Sequence, residues 1–174
     1  MRILLAVDGS GSSDHAVETV AARTWPEKTL VRVLSAVQTV VPPASTLWYD
    51  AGGSVERFQN ELANYAEEVA VRAARALEAR GLAAETVIRH GDPRSVIVDE
   101  AQDWDADLIV VGSHGYTGLK RFFLGSVAQS VVSHAPCSVE VVRVKQPRAE
   151  EVRPHLTPPI SEDAIPSVIV MPPV

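Results

Sequence analysis

Three glycines and a serine follow an apolar run in the second half of the chain, with a spacing that suits phosphate binding. Gly112 and Gly115 come directly after residues 106–111, and Gly125 and Ser126 complete the pattern G-x2-G-x9-G-S. Glycine lets the backbone approach an anion closely and turn N–H groups toward it. The final pair then begins a helix, whose first amides also favour negative charge. The pattern predicts a phosphate site.

The loop between these glycines carries further candidate side chains. His114 lies beside Gly115, so we expect it to line the phosphate site. A hydrogen bond to a backbone group of the loop accounts for this histidine better than acid–base catalysis does. Lys120 and Arg121 could offset the charge of a phosphate, and a solvated surface position is the alternative for both.

A carboxylate lies at the end of the first apolar run. Asp8 follows residues 2–7, where it could accept a hydrogen bond from a ribose hydroxyl or hold a metal ion. A helix-start cap in the turn D-G-S-G is the alternative. We expect Ala6, Val7 and Val111 to wall the same site, although packing in the core explains them equally well. The dinucleotide fingerprint G-x-G-x-x-G is excluded, because Asp14 stands at its last glycine.

Hydrophobic periodicity divides the chain into alternating strands and helices. Apolar runs predict strands at residues 2–7, 30–37, 84–90, 107–111 and 137–144. Helical spacing predicts helices at residues 12–24, 54–80, 93–102 and 125–133, and residues 40–53 are expected to form a loop. Ser54 is the expected N-cap of the long helix, and Asp92 is the expected N-cap of the helix that begins at Pro93.

This alternation predicts an α/β fold. Strands separated by helices pair in parallel through right-handed crossovers, so we expect a doubly wound three-layer sandwich around a five-stranded parallel sheet. With the strand order 3-2-1-4-5, the first and fourth strands are neighbours where the order reverses. Ligands bind beyond the carboxyl ends of strands at such a point. Asp8 follows the first strand and Gly112 follows the fourth, so two separate signals meet in one crevice.

Composition and charge narrow the class of protein. The 174 residues suffice for one domain. No apolar stretch approaches the ~18 residues of a membrane helix. The net charge of −6 argues against nucleic acid or acidic lipid as the main partner. The single cysteine, Cys137, excludes an internal disulfide and favours a cytoplasmic location. Motifs for zinc binding, a hydrolase triad and a P-loop are missing.

The chain resembles the nucleotide-binding branch of the universal stress protein family over residues 2–144. The resemblance is carried by the segments ILLAVDGS, VRVLSAV and HGDP, and by DLIVVGSHG, LGSVA and HAPCSVEVV. It implies an adenine nucleotide alpha hydrolase-like fold with ATP, accompanied by Mg, as the ligand. It also implies that Asp8 contacts the ribose and that the backbone of Ala36 contacts adenine. The implied phosphate-binding residues are Gly112, Gly115, Gly125 and Ser126, with Val127 continuing the helix.

Three functions remain open. The preferred one is an ATP-binding regulatory module of the stress response, with at most weak ATPase activity, because no residue is dedicated to activating water. A nucleotide-processing hydrolase of the same fold group is the first alternative, although the S-G-G-x-D-S loop of a pyrophosphatase is missing. The second is a nucleotide-free, chaperone-like dimer, which predicts degraded glycines, whereas those of this chain are intact.

The end of the chain carries a separate prediction. The fifth strand is expected at a sheet edge and is rich in valine, and such an edge favours pairing with another chain. Members of the family dimerise there, which implies an antiparallel homodimer through Val139, Val141, Val142 and Val144. Cys137 is expected to pack in this interface or in the core. We expect residues 1–145 to form the domain and residues 146–174 a proline-rich extension that is loosely held or docks on the dimer strand or a protein partner.

Overall fold

The computed structural model describes residues 1–38, 53–115 and 124–144. The predictions for the loop before Gly53, for Lys120 and Arg121 and for the extension after residue 145 lie outside the described residues. The boundary between domain and extension therefore stays a prediction.

Five parallel strands form one sheet in the order β3-β2-β1-β4-β5, as the sequence predicted. The apolar strands β1 and β4 lie in the middle, and β5 lies at an edge. The register pairs Ala6 of β1 with Leu34 of β2 on one side and with Val111 of β4 on the other. The strands are β1 Arg2–Ala6, β2 Leu30–Val37, β3 Ala83–His90, β4 Leu108–Gly112 and β5 Ser138–Val142.

In the part of the chain that the structure describes, four helices cover the two faces of the sheet, which makes a three-layer sandwich. Helices α1 and α2 bury Val17, Val20 and Leu77 against one face. Helices α3 and α4 bury Ile97 and Val131 against the other. The helices are α1 Gly11–Ala22, α2 Ser54–Glu78, α3 Pro93–Asp103 and α4 Ser126–His134.

The predicted N-cap of the long helix was wrong. Gly53 is the boundary residue of α2, because its carbonyl accepts the first helical hydrogen bond, from the Arg57 amide at 3.1 Å. Gly53 has a φ of 63°, a left-handed conformation that glycine adopts readily. Ser54 is therefore the first helical residue. The N-cap at Asp92 is confirmed, since its side chain accepts a bond from the Arg94 amide.

A carboxylate is buried between α3 and the sheet. Glu100 is only 3% exposed, and its two oxygens accept hydrogen bonds from Arg32 and Arg89, each at 2.7 Å. Arg32 also bonds Glu85 and lies 4.3 Å from the ring centre of Trp104. Burial alone would raise the pKa of Glu100, but the two arginines outweigh it and lower that pKa. The network ties α3 to β2 and β3.

Within the described part of the chain, no helix is long and apolar enough to cross a membrane.

Candidate functional site

One crevice opens at the carboxyl ends of β1 and β4, where the order of strands reverses. All the residues expected to bind nucleotide line it. They are Ala6, Val7, Asp8, Ala36, Val111, Gly112, His114, Gly115, Gly125, Ser126 and Val127. The structure thus brings together residues from four separate parts of the sequence. Nucleotide binding by these residues stays a prediction.

Six further residues line the crevice that the sequence analysis did not select: Ser13, Leu34, Pro93, Ile97, Ser113 and Ala128. The apolar members of this set come from β2 and from the beginnings of α3 and α4. Pro93 and Ile97 lie one helical turn apart on α3, so they face the crevice together. The proline after Asp92 was recognised as a helix start, but nothing in the sequence indicated that this helix begins beside the site.

The backbone of Ala36 has a geometric reason to meet a ligand. β2 continues to Val37, whereas β1 ends at Ala6, and the Val7 amide makes the last bond between them, to the Leu34 carbonyl at 2.9 Å. Alternate residues of a strand direct their amide and carbonyl toward the same neighbour. The Ala36 groups therefore point toward the side where β1 has ended, into the crevice. They offer one donor and one acceptor beside an apolar wall.

A tight turn presents the Asp8 carboxylate to the crevice. The Ser10 amide donates to Asp8 Oδ1 at 2.9 Å, so Asp8 shapes the turn before α1. The N-cap of α1 is Ser10, whose side chain accepts a bond from the Ser13 amide. Asp8 is therefore not the helix cap that the alternative interpretation assumed. Its Oδ2 lies toward Gly115, where an added Cβ would be only 2.8 Å away.

The first turn of α4 opens on the crevice without a side-chain cap. Helices α1 and α3 are capped by the side chains of Ser10 and Asp92, whereas the N-cap of α4 is Gly125, which has no side chain to offer. The first bond within α4 runs from the Gln129 amide to the Gly125 carbonyl at 2.9 Å. The three amides before it have no partner within the helix. They belong to Ser126, Val127 and Ala128, which line the crevice. This arrangement favours an anion.

A histidine nitrogen also lacks a partner among the described residues. His114 Nδ1 and the Ser113 hydroxyl lie 3.1 Å apart, while His114 Nε2 is buried and has no hydrogen-bond partner in the described part of the chain. The histidine side chain thus bonds a neighbouring hydroxyl, and not the backbone group that the sequence analysis favoured. Its backbone carbonyl accepts a bond from Ser10 at 3.3 Å. A buried nitrogen without a partner is costly, and a ligand oxygen would remove that cost.

The three glycines of the motif leave space for three different neighbours. A Cβ on Gly112 would lie 2.8 Å from the carbonyl carbon of Ser12 in α1. A Cβ on Gly115 would meet the Asp8 carboxylate, and one on Gly125 would lie 3.3 Å from the Ser113 carbonyl oxygen. Gly112 is therefore required by the packing of α1. The absence of a side chain at Gly115 and Gly125 leaves the space between Asp8 and α4 free for a ligand.

The described lining of the crevice is poor in charge. Asp8 and His114 are its only titratable residues, and it contains no lysine or arginine. Backbone N–H groups are thus the main source of positive potential in the described lining. A ligand with an apolar flat part and an anionic part would match the apolar wall at one end and the α4 amides at the other.

The lone cysteine lies away from this crevice. Cys137 is partly buried against the α3–α4 face of the sheet, as expected of a core residue. Burial, and secondarily the negative charge of Asp107, raises the pKa of its thiol. That shift opposes the thiolate form, so the described surroundings do not favour a nucleophile.

Comparison with known proteins agrees with this architecture. Residues 1–143 match the model of the universal stress protein family. A Staphylococcus aureus protein assigned to the universal stress proteins is 37% identical over 151 residues, which cover 83% of this chain and 84% of that protein.

Solved structures share the fold. The hypothetical protein MJ0577 has a TM-score of 0.72 at 27% identity, over 84% of this chain and 97% of its own. UspA from Lactobacillus plantarum has a TM-score of 0.68 at 26% identity, over 82% and 97%. A family member from Arabidopsis thaliana, solved with AMP bound, has a TM-score of 0.55 at 21% identity, over 82% and 91%. The first two confirm the predicted adenine nucleotide alpha hydrolase-like fold.

Proposed function

The chain belongs to the universal stress protein family, and we propose that it is a regulatory protein that binds ATP at the point where β1 and β4 meet. The observation that carries this proposal is the first turn of α4, whose three amides without helical partners belong to residues of the crevice. The AMP in the Arabidopsis protein agrees with an adenine nucleotide. At 21% identity that likeness is one of fold alone, and the lining of the crevice supports the proposal independently.

Each part of the nucleotide has a matching part of the site. The adenine ring lies against Leu34, Pro93 and Ile97, and the Ala36 amide and carbonyl bond its polar edge. The Asp8 carboxylate accepts a hydrogen bond from a ribose hydroxyl. The phosphates lie at Gly125 and Ser126, on the α4 amides, and His114 Nε2 supplies a further donor. Magnesium would accompany the phosphates, and Asp8, the one carboxylate of the described lining, is the side chain that would hold it.

Regulation fits the described residues better than rapid hydrolysis does. Phosphoryl transfer needs a group that orients the attacking water and ligands that hold the metal. No group of three or more metal-binding side chains occurs among the described residues, and Asp8 and His114 are the only titratable groups in the described lining of the crevice. Bound ATP instead stabilises the conformation that holds it and so changes affinity for a partner. The site of action is the cytoplasm, where ATP is abundant.

We further propose that the protein forms an antiparallel homodimer through β5. The Val142 carbonyl accepts a bond from the Ser113 amide, so it points toward β4. By alternation, the amides and carbonyls of Val139 and Val141 point to the free edge of the sheet. Val144 is 47% exposed beyond the strand, whereas the Val142 side chain is buried in the core of its own chain. The interface therefore consists mainly of backbone bonds and of Val144.

Calorimetric titration with ATP, AMP and GTP, with and without magnesium, tests the ligand. ATP should bind more tightly than AMP, because the α4 amides and His114 add contacts beyond the first phosphate. GTP should bind more weakly if the Ala36 backbone selects adenine. Turnover above about one per second would favour the hydrolase alternative, since enzymes ordinarily exceed that rate. Absence of any nucleotide binding would leave the chaperone-like dimer as the better account.

A further inference from the structure

The hydroxyl of Ser13 lies at the centre of the turn that follows β1. Ser13 is 3% exposed and lines the crevice. Its Oγ accepts hydrogen bonds from the amides of Gly9, at 3.1 Å, and of Asp8, at 3.4 Å. It also donates to the Ser10 carbonyl at 3.1 Å. One side-chain oxygen thus joins three consecutive residues of the turn to the first turn of α1.

This turn decides where the Asp8 carboxylate points. The Ser10 amide holds Oδ1, and the Ser13 hydroxyl holds the Asp8 amide, so both ends of the residue are fixed from α1. Oδ2 accepts no hydrogen bond within the described part of the chain and lies on the Gly115 side of the crevice. The conformation of this turn depends on the hydrogen bonds to Ser13, because Gly9, with a φ of 83°, is a flexible residue that does not hold the turn by itself. Removing the hydroxyl would leave two partly buried amides without this partner and release the turn.

We propose that Ser13 is a positioning residue, which holds Asp8 so that Oδ2 meets a ribose hydroxyl and thereby makes the site select ribonucleotides. The inference rests on the proposed nucleotide function and adds a determinant of sugar specificity to it. Ser13 itself makes no contact with the sugar in this account. Ser13 affects binding only by positioning Asp8. The effect of a Ser13 substitution should therefore disappear in a variant whose residue 8 cannot form a charged hydrogen bond.

The experiment compares affinities for ATP and for 2′,3′-dideoxy-ATP, which lacks both sugar hydroxyls. The parent should prefer ATP by roughly tenfold, as expected for a hydrogen bond to a charged group. Ser13→Ala and Asp8→Asn should each reduce this preference to about twofold or less, and combining them should reduce it no further. Ser12→Ala is the matched control, since Ser12 lies on the same turn and does not line the crevice. It should keep the parental preference.

The ratio of two affinities is insensitive to a general loss of stability, which separates positioning from a merely structural role. If Ser13→Ala does not fold, Ser13→Cys keeps the volume but accepts hydrogen bonds poorly, and it should lower the ratio in the same way. A parental ratio in both Ser13 variants, together with loss of the ratio in Asp8→Asn, would overturn the inference and leave nucleotide binding intact. A parent that binds neither nucleotide would overturn the proposed function, and this inference with it.

Discussion

Replacing Gly112 by alanine should destabilise the protein through α1 and not through the ligand. An added Cβ would lie 2.8 Å from the carbonyl carbon of Ser12, 2.9 Å from its carbonyl oxygen and 3.0 Å from its Cβ. Ordinary contacts between such atoms are about 3.5–4.0 Å. These atoms belong to the backbone or are bonded to it, so no flexible side chain can move aside. The whole first turn of α1 must withdraw.

Such overpacking typically costs about 1–3 kcal/mol. For a chain of this size, about 2 kcal/mol corresponds to a fall in Tm of roughly 4–8 °C. Gly11→Ala is the matched control, because it adds the same atom on the neighbouring element with nothing within 4 Å. Gly11 is the first helical residue of α1, so alanine there should be neutral or stabilise by up to about 1 kcal/mol.

Thermal and urea unfolding of both variants, without nucleotide, measure the difference directly. We expect Gly112→Ala to melt well below the parent and Gly11→Ala to melt at or above it. Equal stability of the two variants would refute the account in which Gly112 is required by the packing of α1. A loss of stability that appeared only with nucleotide present would also refute it.

Three other substitutions test nucleotide binding, the buried ion pair and dimerisation in turn. Gly115→Ala should leave Tm within about 2 °C of the parent, since its Cβ meets only the carboxylate at the end of the Asp8 side chain and no backbone atom, yet it should weaken ATP binding severalfold in calorimetry, because it displaces that carboxylate. Glu100→Gln should cost about 3 kcal/mol at neutral pH, because it breaks a buried ion pair. The pKa of Glu100 is lowered in the folded state, so its contribution is present above about pH 4.3, its unfolded value, and is lost as pH falls. Urea unfolding at pH 7 and pH 3.5 should therefore show the gap between parent and variant narrowing in acid, and a constant gap would contradict this. Val141→Pro should convert the dimer to a monomer in light scattering while the β4–β5 bonds persist, because the lost amide faces the free edge, and a dimer that survived would argue against pairing through β5.

The α/β class and the parallel pairing of the strands could be predicted because they follow from a repeated pattern, whereas the order 3-2-1-4-5 is one of several that this pattern allows. Apolar runs alternating with amphipathic helices leave few topologies, and the positions of Asp8 and Gly112 after two strands predicted that a crevice lies between them. The residues that line the crevice from α3 could not be predicted in this way. Pro93 and Ile97 reach it only because the helix crosses the sheet at a particular place, which depends on packing.

Other features depend on backbone geometry or on partners distant in sequence. Ala36 faces the crevice because β2 runs three residues beyond the end of β1, a difference that periodicity does not resolve. Glu100 gave no signal of burial, since its partners lie 68 and 11 residues away and acidic residues are usually exposed. The N-cap of α2 is Gly53 and not Ser54 for a similar reason, because the residue at which the helix begins depends on one backbone angle, the φ of Gly53.

The central claim is that the amides of α4 and the carboxylate of Asp8 hold a nucleotide across the space kept open by two glycines. Titration of the parent and of the double variant Gly115→Val, Gly125→Val with ATP and magnesium tests it most directly. Neither glycine has a left-handed φ, so valine is compatible with the backbone angles at both positions. Its Cβ would press on the Asp8 carboxylate and on the Ser113 carbonyl oxygen, so circular dichroism must show that the variant folds. We predict that the parent binds one ATP per chain and that the folded variant binds at least tenfold more weakly. Equal affinity of the two proteins would contradict the account.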